Sequence, residues 1–94
     1  TGGVLLESYA CKVPIVAANA GGIPEVVINN QTGLLAEVGN PEDFAEKVIL
    51  LLNNPELQEK FKEKGYQYLL DNFTKEVIAK KMFTELNEVV KSNQ

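Results

Sequence analysis

The sequence predicts an α/β fold with few parallel strands and several helices, and three observations carry that reading. Two apolar stretches, Val13 to Ala18 and Gly33 to Glu37, are of strand length, and the first does not alternate polar and apolar residues, as suits a strand covered on both faces. Segments with the period of a helix surround them, starting at Pro41, Pro55 and Thr74. Turn formers separate the segments at Asn19-Ala20-Gly21-Gly22, Asn29-Asn30-Gln31-Thr32-Gly33 and Asn53-Asn54-Pro55. The resulting order is helix, strand, short helix, strand, three helices, a pattern in which helices pack on a parallel sheet.

The opening stretch, Thr1 to Cys11, reads as a glycine-rich loop followed by a short helix that is apolar on nearly all sides. One charge interrupts it. Glu7 lies within the first two turns, where backbone amides lack partners and the helix dipole favours anions. Among Val4, Leu5, Leu6, Tyr9 and Ala10, its carboxylate must reach solvent or meet a partner, because burial without one is costly. The partner expected is a ligand; the plainer alternative is a solvated residue that complements the dipole. Cys11, at the end of the apolar segment, is expected to be a small core residue.

Further along, Pro14 falls near the start of the first strand, a position strands tolerate. Ile23-Pro24-Glu25 is a helix start, with Glu25 as its acid. Asn40-Pro41-Glu42-Asp43 combines a capping residue, a first-turn proline and two acids, and Phe44, Val48, Leu51 and Leu52 lie along one face of the helix that follows. The helix from Pro55 to about Asn72 buries Leu57, Phe61, Tyr68 and Leu69, with Gly65 as a point of close approach or weakness. A last helix starts at Thr74 and carries Ile78, Met82, Leu86 and Val89 on one side, widened by Phe83 and Val90, before a frayed Ser92-Asn93-Gln94 end.

Composition narrows the functional classes. Nine basic residues against thirteen acidic ones give a net charge of −4, with no basic cluster, which disfavours nucleic acid and anionic membranes as partners. There is no histidine and one cysteine, so neither a disulfide framework nor an ordinary Cys/His metal site is expected. No apolar run approaches the ~20 residues of a membrane span, and a cytoplasmic protein is the expectation. The chain has 94 residues and begins without methionine inside a loop and helix unit, which reads as part of something larger. Two short strands leave an open sheet edge, so self-association into a homo-oligomer is expected of the isolated piece.

Three blocks in order, Gly2-Gly3-Val4-Leu5-Leu6-Glu7-Ser8-Tyr9-Ala10-Cys11-Lys12-Val13-Pro14-Ile15-Val16-Ala17, Gly21-Gly22-Ile23-Pro24-Glu25-Val26-Val27 and Thr32-Gly33-Leu34-Leu35, resemble the carboxy-terminal part of the group 1 (family 4) retaining glycosyltransferases. The resemblance covers essentially the whole chain. It implies a partial Rossmann-like domain of the two-domain GT-B fold, with residues 1–94 as a fragment of the nucleotide-sugar-binding domain. It also implies sugar transfer from a nucleotide-diphosphate sugar with retention, no cofactor and no metal, and a missing amino-terminal domain as partner.

The family carries two glutamates separated by seven residues. Glu7 matches the second, which binds the ribose hydroxyls; the first, which contacts the donor sugar, would fall two positions before Thr1. An ionised carboxylate accepts two hydroxyl protons at once, which suits a ribose diol. The amides of Gly3 and Val4 match positions that approach the diphosphate and sugar, Gly2 lets the backbone come close, and Gly21 and Gly22 are a possible pocket loop. The glycines have plainer alternatives, a flexible chain end for Gly2 and Gly3 and a simple turn for Gly21-Gly22. No catalytic residue is assigned within these 94 residues, so the fragment is expected to be inactive alone.

Two positions depart from the family. Lys12 stands where glycine is usual, which either disturbs the turn after the helix or only places an exposed charge. Gly3 stands where a branched apolar residue is common. The alternative reading is a non-catalytic binding or self-association module of GT-B descent; a related epimerase or phosphorylase fits the Gly21 to Glu25 block less well.

Overall fold

Two strands of three residues lie side by side in a parallel pair, β1 (Val16–Ala18) and β2 (Leu34–Ala36), with Val16 opposite Leu34 and Ala18 opposite Ala36. The computed structural model describes residues 2–80 and Phe83. In chain order the helices are α1 (Gly2–Ala10), α2 (Ile23–Val26), α3 (Pro41–Leu52) and α4 (Pro55–Asn72), and residues 75–80 are helical again. The α/β class and the element order agree with the sequence-based expectation. Met82, Leu86, Val89, Val90 and the Ser92 to Gln94 end lie outside the described residues.

Local chemistry starts the later helices. Asn40 and Asn54 each accept a backbone N–H three residues on, from Asp43 and Leu57, both at 3.0 Å, and a proline follows each cap. These contacts satisfy one of the donors a helix start leaves unpaired, and proline has no N–H to lose there. Thr74 Oγ1 accepts from Val77 N–H at 3.2 Å in the same way. Asp43 also reaches back from α3. Its carboxylate accepts from Lys47 Nζ at 2.8 Å and from Glu37 N–H at 2.7 Å, tying the helix to the residue after β2. The Lys47 contact first and the Glu37 amide second hold its carboxyl below the usual carboxylate range.

The first strand is shorter than expected. Val13 N–H is spent on the Ser8 carbonyl at 2.9 Å, and Pro14 has no N–H, so pairing begins only after Ile15, whose carbonyl accepts Leu34 N–H at 2.9 Å. Its residues are half-buried on this two-stranded sheet. The described core has two parts. Leu6, Tyr9, Ile15, Val27 and Leu69 join α1 to α4 and to the strands' approach segments, and Leu34, Leu51 and Phe61 join β2 to the α3–α4 pair. Leu51, Phe61 and Leu69 are buried as expected; Leu57 and Tyr68 are half-buried. Phe44 and Leu52, expected on the core face of α3, are exposed instead, Leu52 to 70%. The sheet under α3 is too narrow to cover a stripe that wide. Among the described residues no helix is long and apolar enough to cross a membrane, and no group of three or more His, Cys, Asp or Glu is placed to hold a metal ion.

Candidate functional site

The glycines expected in an opening loop are already helical, since α1 starts at Gly2. Gly2, Gly3 and Val4 therefore occupy its first turn, where the backbone N–H groups have no acceptor within the helix. The residues that follow sort by direction. Leu6 and Tyr9 point into the core, whereas Val4, Glu7 and Cys11 are exposed. Positions 4, 7, 8 and 11 lie on one face of a helix, and together with Val13 they line a cavity of ≈ 230 Å³. The Glu7 carboxylate makes no hydrogen bond or ion pair with any described residue. Ser8 is committed elsewhere, because its hydroxyl donates to the Val4 carbonyl at 3.0 Å.

The structure thus unites two of the sequence-predicted site residues, Glu7 and Val4, at one cavity. Gly3 sits half-buried in the same first turn, outside the cavity lining. Gly21 and Gly22 do not line it either. They form the exposed turn from β1 into α2, Gly21 with a left-handed φ of +54° and Gly22 as the residue before the first helical position. Sequence reasoning missed Ser8, Cys11 and Val13. The signal for the first two was present in the i, i+3, i+4, i+7 spacing from Val4, hidden because both faces of α1 carry apolar residues. Cys11 corrects the expectation directly: it is exposed, because it shares the face of Glu7 and not that of Tyr9.

The inner face of α1 is held by hydrogen bonds as well as packing. Tyr9 is 1% exposed, and its Oη donates to the Val26 carbonyl at 2.7 Å. The hydroxyl has one proton, so the contact with Thr32 Oγ1 at 2.7 Å is donated by Thr32, whose oxygen in turn accepts from Ile28 N–H at 2.9 Å. Burial pushes the Tyr9 phenol above its usual range, opposed by the bond from Thr32. Against the other side of the ring lies Gly65 of α4, where a Cβ would come within 2.6 Å of Tyr9 Cδ1. Gly65 is thus a point of close approach. Tyr68 packs edge-on, with ring centres 5.6 Å apart, and its hydroxyl donates to the Glu25 carbonyl at 3.2 Å.

Lys12 resolves one departure noted in the sequence. It adopts φ +55° and ends α1 with two bonds, its own N–H to Tyr9 carbonyl at 3.1 Å and Val13 N–H to Ser8 carbonyl at 2.9 Å. This is the helix stop that glycine usually provides. The turn is undisturbed, and the lysine head rests 4.8 Å from the centre of the Tyr66 ring and 3.7 Å from the Glu63 carboxylate.

A helix whose first-turn amides have no acceptor within the helix, followed by an exposed carboxylate that no described residue partners, can present donors to an anion and an acceptor to hydroxyl groups. Comparison with known proteins gives the family. The family described as Glycosyl transferases group 1 matches residues 1–68, and the chain belongs to that family. Two relatives show how far the likeness runs. An uncharacterized glycosyltransferase of Methanocaldococcus jannaschii is 43% identical over 67 residues, 71% of this chain and 19% of that protein. N-acetyl-alpha-D-glucosaminyl L-malate synthase of Bacillus anthracis is 36% identical over 91 residues, 97% of this chain and 24% of that protein. Among solved structures, sucrose-phosphate synthase from Thermosynechococcus elongatus superposes with a TM-score of 0.73 at 26% identity, covering 95% of this chain and 22% of that one. The fold is accordingly a partial Rossmann-like unit of GT-B type, and the chain spans about a fifth to a quarter of the length of these relatives.

Proposed function

We propose that residues 1–94 are part of the nucleotide-sugar-binding domain of a retaining, family 4 glycosyltransferase, and that α1 is the half of the donor site this chain supplies. Glu7 accepts hydrogen bonds from the two ribose hydroxyls, and the amides of Gly3 and Val4 face the diphosphate, with Gly2 letting the backbone come close. In transfer, the diphosphate is the leaving group, and amides fixed beside it stabilise the charge that develops there. The amino-terminal domain, the first glutamate and the acceptor site belong to the remainder of such a protein. The 94-residue chain is therefore silent in catalysis. Gly21 and Gly22 serve only as a turn or as an outer edge of the donor pocket. The protein works in the cytoplasm without cofactor or metal.

The observation that carries this reading is the Glu7 carboxylate, exposed at the cavity of Val4, Ser8, Cys11 and Val13 and satisfied by no described residue. The test is a titration of the chain and of Glu7→Ala with UDP, GDP and their sugar conjugates, followed by amide chemical shifts. Shifts clustered at Gly3, Val4 and Glu7, and weakened about tenfold or more in the variant, are expected, because hydrogen bonds to a charged group contribute ~1.5–3 kcal/mol. Shifts elsewhere, or binding indifferent to the substitution, would remove Glu7 from the donor site.

A second reading, a self-associating module, is favoured by the apolar residues α3 leaves outside, Ile49 at 57% and Leu52 at 70% exposure. A clean monomer in sedimentation across a wide concentration range would exclude the module.

A further inference from the structure

The composition of α1 decides only coarsely which way it faces: Glu7 disfavours the rotations that would bury it, and leaves the neighbouring ones open. It is a nine-residue helix with no acidic residue in its first turn and no basic residue in its last, and apolar side chains lie all round it. Val4 is 55% exposed while Leu6 is 5% exposed, a difference that hydrophobicity alone does not impose. A helix of this kind can turn about its axis and still bury an apolar face. What only one rotation satisfies is polar: Tyr9 Oη must meet both the Val26 carbonyl and the Thr32 hydroxyl, and its ring must fit the space left by Gly65. A buried hydroxyl left without partners is costly, so the network selects that rotation over neighbouring ones that would also keep Glu7 in solvent.

The consequence reaches the outer face. At about 100° per residue, Tyr9 and Glu7 are about 200° apart around the helix, on nearly opposite sides. Fixing one inward fixes the other outward. We propose that the Tyr9–Thr32 hydroxyl pair is the rotational key of α1, and that Thr32, 25 residues beyond Glu7 in sequence, is a positioning residue for the carboxylate at the cavity. The inference deepens the donor-site reading and rests on it for its functional meaning. The geometric part has its own readout. Cys11 is the chain's single cysteine, it is exposed, and it lies on the face of Glu7, so its alkylation rate reports the rotation of α1 without any ligand.

The experiment compares wild type, Thr32→Val and Thr32→Ser by Cys11 alkylation, amide spectra and UDP titration. Thr32→Val keeps the side-chain volume and removes the hydroxyl; Thr32→Ser keeps the hydroxyl. In folded Thr32→Val the α1 amides are expected to broaden or double and the Cys11 rate to change about fivefold or more. UDP affinity is expected to fall about tenfold, the effect of losing Glu7 from the contact. Thr32→Ser restores all three. Folded Thr32→Val with single α1 peaks and the wild-type Cys11 rate would overturn the key. Tyr9→Phe, which leaves Thr32 free to hold Ile28 N–H, replaces Thr32→Val if that variant does not fold. Loss of folding in both, with Thr32→Ser intact, would reduce the pair to a structural one and overturn the positioning role. A wild-type chain that ignores UDP while the Cys11 and amide readouts behave as expected would instead reject the donor reading and leave the rotational key standing.

Discussion

Helices α1 and α4 touch each other and are specified in opposite ways. The start of α4 is written in adjacent residues, since Asn54 caps it, Pro55 opens it and Glu56 complements its dipole. The described residues of α1 carry no acid in its first turn and no base in its last. Its inner face is set by a tyrosine that finds its partners 17 and 23 residues away and by a glycine on α4. Local specification fixes where a helix starts, whatever packs against it. Tertiary specification makes a helix whose outer face can carry a carboxylate, because Glu7 is not spent on holding it to any described residue.

The strongest way to break that contrast is at Gly65. Replacing it by alanine improves the helical propensity of α4 and would stabilise a helix that stood alone by ~0.5–1 kcal/mol. Here the added Cβ meets Tyr9 Cδ1 at 2.6 Å, and the ring has little room to retreat because its hydroxyl is held at the other end. Gly65→Ala is expected to destabilise the fold by ~1–3 kcal/mol through overpacking, with the disturbance concentrated in α1. Urea unfolding gives the magnitude and amide shifts give the place. A gain in stability would mean that α1 yields easily and that the tertiary account of its position is mistaken.

A cap substitution tests the other half. Asn54→Ala removes the oxygen that accepts Leu57 N–H and is expected to cost ~1 kcal/mol. Its effect should stay within the first turn of α4 and leave the α1 amides unmoved. Hydrogen exchange resolved by residue checks this. A disturbance of the α1 amides as large as that in the first turn of α4 would show that the start of α4 is not a local matter, and the comparison between the helices would dissolve.

The same division decides what was legible in the sequence. Asn40-Pro41, Asn54-Pro55 and Thr74 announce their helices because capping acts over three residues, and the observed starts fall where the residues place them. Leu51, Phe61 and Leu69 were legible as core because their periodicity matches the face that is covered. Periodicity also nominated Phe44 and Leu52, which are exposed, since a pattern reports apolar character and not how much surface is available to cover it. At α1 the local signals misled. Gly2 and Gly3 are weak helix formers and read as a loop, yet are helical, and Cys11 read as core by its apolar neighbours. Glu7 was legible as the odd charge in an apolar helix. Thr32 was not, because a hydroxyl that serves a tyrosine across 23 residues leaves no periodic trace.

The smallest effect expected is at Lys12, and its sign is the informative part. A side chain in the left-handed region costs ~1–2 kcal/mol that glycine avoids, so Lys12→Gly relieves strain at the stop of α1. The replacement also adds freedom to the unfolded chain, which gives back up to about 1 kcal/mol. It further removes the lysine from the Tyr66 ring, an exposed contact of ~0.5–1 kcal/mol, and from Glu63, an exposed pair of little value. The opposing terms nearly cancel, and a change within about 0.5 kcal/mol of zero is expected. Pairing with Tyr66→Leu separates them: in that background the cation–ring contact is already gone, so Lys12→Gly should shift toward stabilisation relative to its effect in wild type. An identical effect in both backgrounds would show that the ring contact contributes nothing. The lysine at the stop of α1 would then be a strained residue without local compensation, retained on the very helix that carries Glu7.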